Sequence, residues 1–466
     1  MRRLPNITPN GKIAPYLSKD ENNNTISQDS KGNVTFHVER KYELITPLFG
    51  GGVEAGKNDN ITPISGKVIR GHLRFWWRAT RGGQFNGDLE AMKAREAEIW
   101  GAASTLNKPS PSQIQIEVCD VSKVGSEENP YKAKGKVNDG WEGLAYAAFP
   151  FQDNPQSVSR FKFTLKISYP ESIKSANGGD VPLRDEIGAA LWAWETFGGI
   201  GARTRRGFGA IRTSESLPAS PEKIEEWMEK QLEKFVVNGE FPPNVPHLSL
   251  DMSFVLVTVR KGIQVGKDKV LKRVAYESFN EAWEVLISEL KKFRQARIGF
   301  GRSKWNEPEQ VRRLTSRRWS KHGENPDLLS IESFPRGEFG LPIIFHFKDE
   351  DKGEPPDMTL KGGLIPAEKN KYRERLASPL ILRPLACGGN KAVGLAAILK
   401  TPRKPPEGLV LKGDGVEEKV DMKLTKKDAL KIEPLKAFAS KLADDNDEVD
   451  VLEAFIDRFR AEEKNR

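Results

Sequence analysis

Over residues 34–44 apolar and polar positions alternate, with Val34, Phe36 and Val38 followed by Tyr42 and Leu44, the two-residue period of a half-buried strand. The period then becomes helical. From Lys67 onward Leu73, Trp76, Trp77 and Thr80 share one face, and Arg70, Arg74, Arg78 and Arg81 fall at i, i+4, i+8 and i+11 beside it. Ser65 is placed to cap the helix. A second helix is expected over Asp88 to Trp100, stopped by Gly101, and a strand over Gln113 to Val121, with a polar loop from Ser122 to Asp139. Phe161, Phe163, Leu165, Ile167 and Tyr169 mark the clearest strand. A helix from Pro182 to Thr196 and a short strand from Phe208 to Arg212 complete the order β-α-β-β-α-β, the ferredoxin-like order that also serves as an RNA-binding sheet.

The second half begins with an amphipathic helix, Pro221 to Phe235, and a proline-bearing linker, Gly239 to Pro246. A strand at Met252 to Arg260 and a helix at Tyr276 to Phe293 follow, then strands at Leu341 to Phe347, Ser378 to Leu385 and Val393 to Leu399. The tail, Asp421 to Arg466, has the apolar spacing of two helices. The expected fold class is α+β: a polar extension (1–33), a first ferredoxin-like domain (34–220), a helix and linker (221–246), a second such domain (247–400) and a helical C-terminal region (401–466).

Between the helix ending at Thr196 and the strand leaving at Phe208 lies Gly198-Gly199-Ile200-Gly201-Ala202-Arg203-Thr204-Arg205-Arg206-Gly207-Phe208-Gly209. Glycines permit close approach of a ligand to the backbone, and Arg203, Arg205 and Arg206 add permanent charge, a combination suited to a phosphodiester chain. A plain surface turn with solvated arginines has the same composition. Neither a G-x-x-x-x-G-K-[ST] loop nor a G-x-G-x-x-G turn after a strand is present, so a mononucleotide is not the first expectation. The pattern R-x-G-F-G recurs at Arg297-Ile298-Gly299-Phe300-Gly301, again after a helix, as a duplicated fold would give.

Charge sharpens this picture. The chain has 74 Lys and Arg against 65 Asp and Glu, a net +9. From Lys291 to Lys321 alone there are eleven Lys and Arg and two acids, 11 − 2 = +9, so the excess is local. Arg297, Arg302, Lys304, Arg312, Arg313, Arg317 and Arg318 are its candidate phosphate contacts, with Trp305 and Trp319 as candidate stacking surfaces. In the first half the candidates are Ser65, Lys67, Arg70, Arg74, Arg78, Arg81, Gly199, Gly201, Arg203, Arg205 and Arg206. An all-arginine helix face repels itself unless an anion compensates it, whereas Trp76 and Trp77 also fit a core.

Other chemistries find little footing. Cys119 and Cys387 form no disulfide framework, and the five histidines contain no H-x-x-x-H pair, so no metal or cofactor is expected. No long apolar run or leader is evident, which points to a cytoplasmic protein without membrane attachment. One enzymatic alternative stays open, a metal-independent endoribonuclease with His72 as general base and His37 as its partner.

The run Ile45-Thr46-Pro47-Leu48-Phe49-Gly50-Gly51-Gly52, with Arg70-Gly71-His72-Leu73-Arg74-Phe75-Trp76-Trp77-Arg78, resembles the N-terminal signature of the first-subunit family of the type III-B CRISPR effector, the Cmr complex. Its superfamily, the RAMP proteins, carries a glycine-rich loop like Gly198 to Gly209, and Arg375 to Leu380 is similar to a further family block. The resemblance implies tandem ferredoxin-like (RRM-like) domains that hold the 3′ part of the guide RNA and the matching target RNA beside other RAMP subunits. It also implies that target cleavage belongs to another subunit.

Overall fold

The computed structural model describes residues 17–20, 24–52, 54, 57–59, 61–103, 110–132, 135–153, 156–176, 178–213, 220–265, 268–297, 302–366, 371–442 and 447–465. The copy of the R-x-G-F-G motif at 298–301 and most of the polar extension therefore lie outside the described residues.

The architecture is α+β. In the first half the elements are β1 (Ser18–Lys19), β2 (Thr25–Gln28), β3 (Val34–Leu44), α1 (Gly66–Arg81), α2 (Leu89–Trp100), β4 (Gln115–Glu128), α3 (Ala145–Ala148), β5 (Val158–Pro170), β6 (Ser172–Lys174), β7 (Asp180–Pro182), α4 (Leu183–Phe197), β8 (Ile211–Thr213) and α5 (Pro221–Phe235). The main sheet runs β1-β2-β3-β5-β4, with β8 paired to the end of β3 through Tyr42, Glu43 and Leu44, and all pairings antiparallel. Read from the edge, β8-β3-β5-β4 is the order 4-1-3-2 of a β-α-β-β-α-β unit. The alternation of β3 and β5 sends Phe36, Tyr42, Leu44, Phe163, Leu165, Ile167 and Tyr169 into one core with the apolar faces of α1 and α4. Trp76 and Trp77 are both buried in that core.

Local signals set the helix ends. Ser65 caps α1 by accepting from the Lys67 N–H at 3.3 Å, and Asp88 caps α2 through the N–H groups of Glu90 and Ala91. Gly101, at φ +80°, ends α2. β4 departs from the expected loop over 122–128 by resuming its pairing with β5 after a bulge between Cys119 and Ser122. The 239–246 segment is not a free linker. Val237 and Leu248 donate to Thr80 and Ala79 at the end of α1, and Phe241 stacks on His247 at 4.0 Å.

In the second half lie β9 (Phe254–Val257), β10 (Val259–Val265), β11 (Asp268–Val274), α6 (Phe279–Gln295), α7 (Glu307–Thr315), α8 (Pro326–Leu329), β12 (Ile343–Phe345), β13 (Met358–Gly362), β14 (Leu380–Ala386), β15 (Ala392–Ile398), β16 (Leu409–Gly413), β17 (Val416–Val420), α9 (Lys426–Ala429), α10 (Ala439–Leu442) and α11 (Val451–Asn465). A three-stranded sheet, β14-β15-β9, is backed by α6 and α11. A separate four-stranded sheet, β12-β13-β16-β17, is assembled from the two segments inserted before β14 and after β15. The 401–466 region is therefore not helical throughout. It gives two strands to the inserted sheet and one long helix to the second core, where Val451, Leu452, Phe455 and Phe459 are buried.

Candidate nucleic-acid interface

The glycine loop sits where the two halves meet, and its chain path follows from its small residues. Ala202 donates to Phe49 O at 2.7 Å, Gly209 to Pro47 O at 2.8 Å, and Thr46 Oγ1 to Gly207 O at 2.6 Å, so the loop is laid along the Thr46–Gly50 turn. Gly201 has φ +84°, and a Cβ there would stand 2.6 Å from Phe49 O. At Gly199, which is buried, a Cβ would meet Gly209 O at 2.7 Å. This corrects the expectation for Gly199 and Gly201, because their lack of a side chain admits protein backbone.

Phe208 anchors the loop in the second core. It is fully buried, 4.9 Å from the Trp283 ring and near Phe49, Trp141 and Phe151. Trp283 Nε1 in turn donates to Arg206 O at 2.7 Å. From β14 the buried Arg383 guanidinium donates to the carbonyls of Glu195, Gly198 and Ile211, at 2.9, 2.6 and 2.8 Å. Both ends of the loop are thereby tied to the same strand.

Two kinds of arginine emerge. On α1, Arg74 and Arg78 both reach the buried carboxylate of Glu96 on α2, and Arg81 reaches Glu186 on α4, which also accepts from Trp77 Nε1 at 2.7 Å. The stripe that looked uncompensated in sequence is neutralised by acids from elsewhere in the fold. Arg70 donates to Ile114 O at 3.1 Å, Ser65 is occupied as the cap, and Lys67 alone of this group is exposed. The 291–321 patch behaves similarly: Arg302, Arg312 and Arg318 converge on buried Glu309, and Arg312 also binds Glu354 at 2.7 Å. Arg313 pairs with Glu332 and Arg317 with Asp414. Arg297 and Lys304 are exposed and have no ion-pair partner among the described residues. Trp305 is fully buried, with Nε1 donating to Phe293 O, so it offers no face to a base, whereas Trp319 is only partly buried.

The second kind is confined to the loop and its neighbour Arg294, in the last turn of α6. Arg205 donates to Ser378 O and Arg206 to Leu380 O at 2.9 Å, but neither they, Arg203 nor Arg294 meets a carboxylate among the described residues. Burial lowers the Arg203 and Arg205 guanidinium groups to about 10 and Arg206 to about 9, with the mutual repulsion of Arg203, Arg206 and Arg294 adding to the shift. Arg203, Arg205 and Arg206 stay cationic at neutral pH. The Nε atoms of Arg203 and Arg294 are enclosed without a hydrogen-bond partner. Aromatic faces flank the group: Arg203 lies 4.9 Å from the Phe149 ring centroid, Arg205 5.7 Å from Phe75 and Arg294 5.5 Å from Phe339. Phe149 is 55% exposed. Sequence reasoning missed Phe149, since Trp141 to Phe151 has no clear period, and it counted Arg294 only within a wider patch.

His72 is a poor base. Its Nε2 is enclosed without a partner, and burial lowers its pKa to about 4; desolvation, not the neighbouring arginines, is the cause. His37 lies between Ser27 and Ser168, at 2.7 and 2.9 Å. No cluster of three or more His, Cys, Asp or Glu able to hold a metal occurs among the described residues. No described helix is long and apolar enough to cross a membrane.

Residues 41–212, which run from β3 through the glycine loop into β8, match the RAMP superfamily. A relative from Pyrococcus furiosus, CRISPR system Cmr subunit Cmr1-2, is 31% identical over 177 residues, 36% of this chain and 91% of the relative. The chain belongs to the RAMP superfamily. It is also similar to Cmr subunit Cmr1-1 of the same organism, 25% identical over 34% of this chain and 42% of that one. Among solved structures, the apo crystal structure of Pyrococcus furiosus Cmr1 covers 79% of this RAMP chain and 88% of its own, with 19% identity and a TM-score of 0.39. A chain of type III-B Cmr-beta bound to cognate target RNA covers 87% and 99%, with 12% identity and a TM-score of 0.41. These superpositions are loose, and the fold rests on its own strand order.

Proposed function

We propose that this RAMP protein is an RNA-binding first subunit of a type III-B Cmr effector, holding the 3′ part of the guide RNA and the matching target RNA without cleaving either. One observation carries the reading: four arginines, Arg203, Arg205, Arg206 and Arg294, share a site with no carboxylate partner among the described residues. A folded protein that leaves cations so uncompensated gains from an anionic ligand, and a phosphodiester chain offers evenly spaced charge with bases to stack beside it. The relationship to Cmr subunits supports that ligand class. We read the first unit, with its 4-1-3-2 sheet, as ferredoxin-like, and β9-α6-β14-β15-α11 as a second such unit lacking the fourth strand. Partners would be the guide RNA, target RNA and neighbouring RAMP subunits, and the compartment would be cytoplasmic.

The alternative of a ribonuclease working through His72 draws no support from a histidine held neutral and enclosed. Within an assembled effector carrying 4-thiouridine in the guide or target strand, crosslinks should fall on the peptides spanning residues 198–209 and 291–297. Crosslinks confined to other subunits would contradict the reading.

A further inference from the structure

The last turn of α6 carries Arg294 and ends without the glycine that commonly closes a helix. Ala296 closes it instead, at φ +42°. A non-glycine residue stays in that left-handed region only where its surroundings hold it there. Those surroundings come from further along the chain. The last helical bond runs from the Ala296 N–H to Lys292 O, and the carbonyls beyond it have no partner inside the helix. Phe293 O accepts from Trp305 Nε1 at 2.8 Å, Arg294 O from the Arg336 guanidinium at 2.8 Å, and Ala296 O from the Lys304 N–H at 2.9 Å. Arg336 is itself fixed. Its backbone N–H donates to Glu307 Oε1 at 3.0 Å, its Nε stands 3.1 Å from the same oxygen, and Glu307 is fully buried. The Arg336 guanidinium also lies over the Trp305 ring, 5.6 Å from its centroid, and Trp305 meets Phe293 edge-on at 5.5 Å. The two caps thus brace each other.

Arg294 needs such a hold. Its Nε is enclosed without a partner, and Arg203 and Arg206 oppose it with like charge. A frayed helix end would let the side chain swing away and relieve that repulsion. Capping of the Phe293 and Arg294 carbonyls denies it that freedom, and a guanidinium beside C-terminal carbonyls is favoured by the helix dipole as well. We infer that Trp305 and Arg336, with Glu307 behind Arg336, are positioning residues that lock the last turn of α6 and so hold Arg294 in the arginine cluster. That the held cation serves RNA rests on the function proposed above; that it is held does not.

Two readouts on the full chain test this. The first is the rate at which phenylglyoxal modifies Arg294, followed by peptide mass spectrometry. Trp305→Phe keeps a ring and removes the donor, and Arg336→Lys keeps the charge and removes the planar fork. Each should speed modification of Arg294 several-fold while the buried Arg383 stays as slow as in the native chain. Acceleration of both arginines alike, which is general loosening, or of neither, would overturn the inference. The second readout is the salt dependence of single-stranded RNA binding, in which each phosphate contact contributes about 0.7 to the slope. Trp305→Phe should flatten the slope by up to about 0.7 in the native background and leave it unchanged in the Arg294→Ala background. Equal flattening in both backgrounds would overturn the inference, because the effect would not pass through Arg294. If Trp305→Phe does not fold, Arg336→Lys carries both measurements. Failure of the RNA reading shows separately, as a native slope in Arg294→Ala alone, and the modification rates then decide the positioning role by themselves.

Discussion

The guanidinium of Arg383 donates to the carbonyl oxygen of Gly198 at 2.6 Å. With its bonds to Glu195 and Ile211, it makes one buried cation close both ends of the glycine loop. Arg383→Met would leave three carbonyls without that donor and should cost about 3 to 5 kcal/mol. Arg383→Lys should recover little, since a single ammonium lacks the planar fork that reaches all three. Urea unfolding midpoints check this, and an unchanged midpoint in the lysine variant would remove the strapping role.

Glu96 receives two arginines of α1, so their positive charge is spent inside the protein. Glu96→Gln should therefore destabilise the fold, by about 3 kcal/mol, as it leaves Arg74 and Arg78 without their buried partner. If RNA affinity of the folded variant rises, the freed arginines are recruiting phosphate, which would identify Glu96 as the reason the stripe is silent in the native chain.

His72 gives the molecule an acid-sensitive element. Its folded pKa, about 4, lies below the ordinary value near 6.5, so the unfolded chain takes up the proton first. Its contribution is complete above about pH 6.5 and is lost as pH falls toward 4, by at most about 3 kcal/mol. Burial lowers His37 and His247 too, with the same sign. The difference in urea midpoint between the native chain and His72→Gln, followed from pH 7 to pH 5, isolates the His72 part; parallel curves would contradict it.

Most of the first unit was legible because its signals are local. Alternation in β3 and β5, the Ser65 and Asp88 caps and the Gly101 stop each act within a few residues, and each element formed where its pattern lay. The site was legible only in outline. Arg74 and Arg203 look alike in sequence, and what separates them is Glu96, a carboxylate delivered by another helix. Trp305 was misassigned as a stacking surface and Phe149 was missed for the same reason: exposure is a tertiary property, and the tryptophan in the basic stretch is buried while a phenylalanine outside any clear period faces solvent. The inserted sheet was hidden because its strands, 343–362 and 409–420, pair across more than forty intervening residues.

Phe149 tests whether bases stack beside the cluster. Phe149→Ala should weaken single-stranded RNA binding by roughly 1 to 3 kcal/mol while leaving the salt dependence unchanged, because a stacked base carries no counterion release. Phe149→Trp should restore affinity. Competition binding with a labelled oligonucleotide distinguishes these outcomes from a loss caused by displacement of Arg203.

The most direct test of the RNA-binding reading is the slope of log binding constant against log salt concentration for a single-stranded RNA. For single strands each phosphate contact contributes about 0.7 to that slope, so Arg203→Ala with Arg294→Ala should flatten it by about 1.4, whereas Arg74→Ala should leave it as in the native chain. An unchanged slope in the double variant, or a flattening produced by Arg74→Ala instead, would contradict the assignment of RNA to the carboxylate-free cluster.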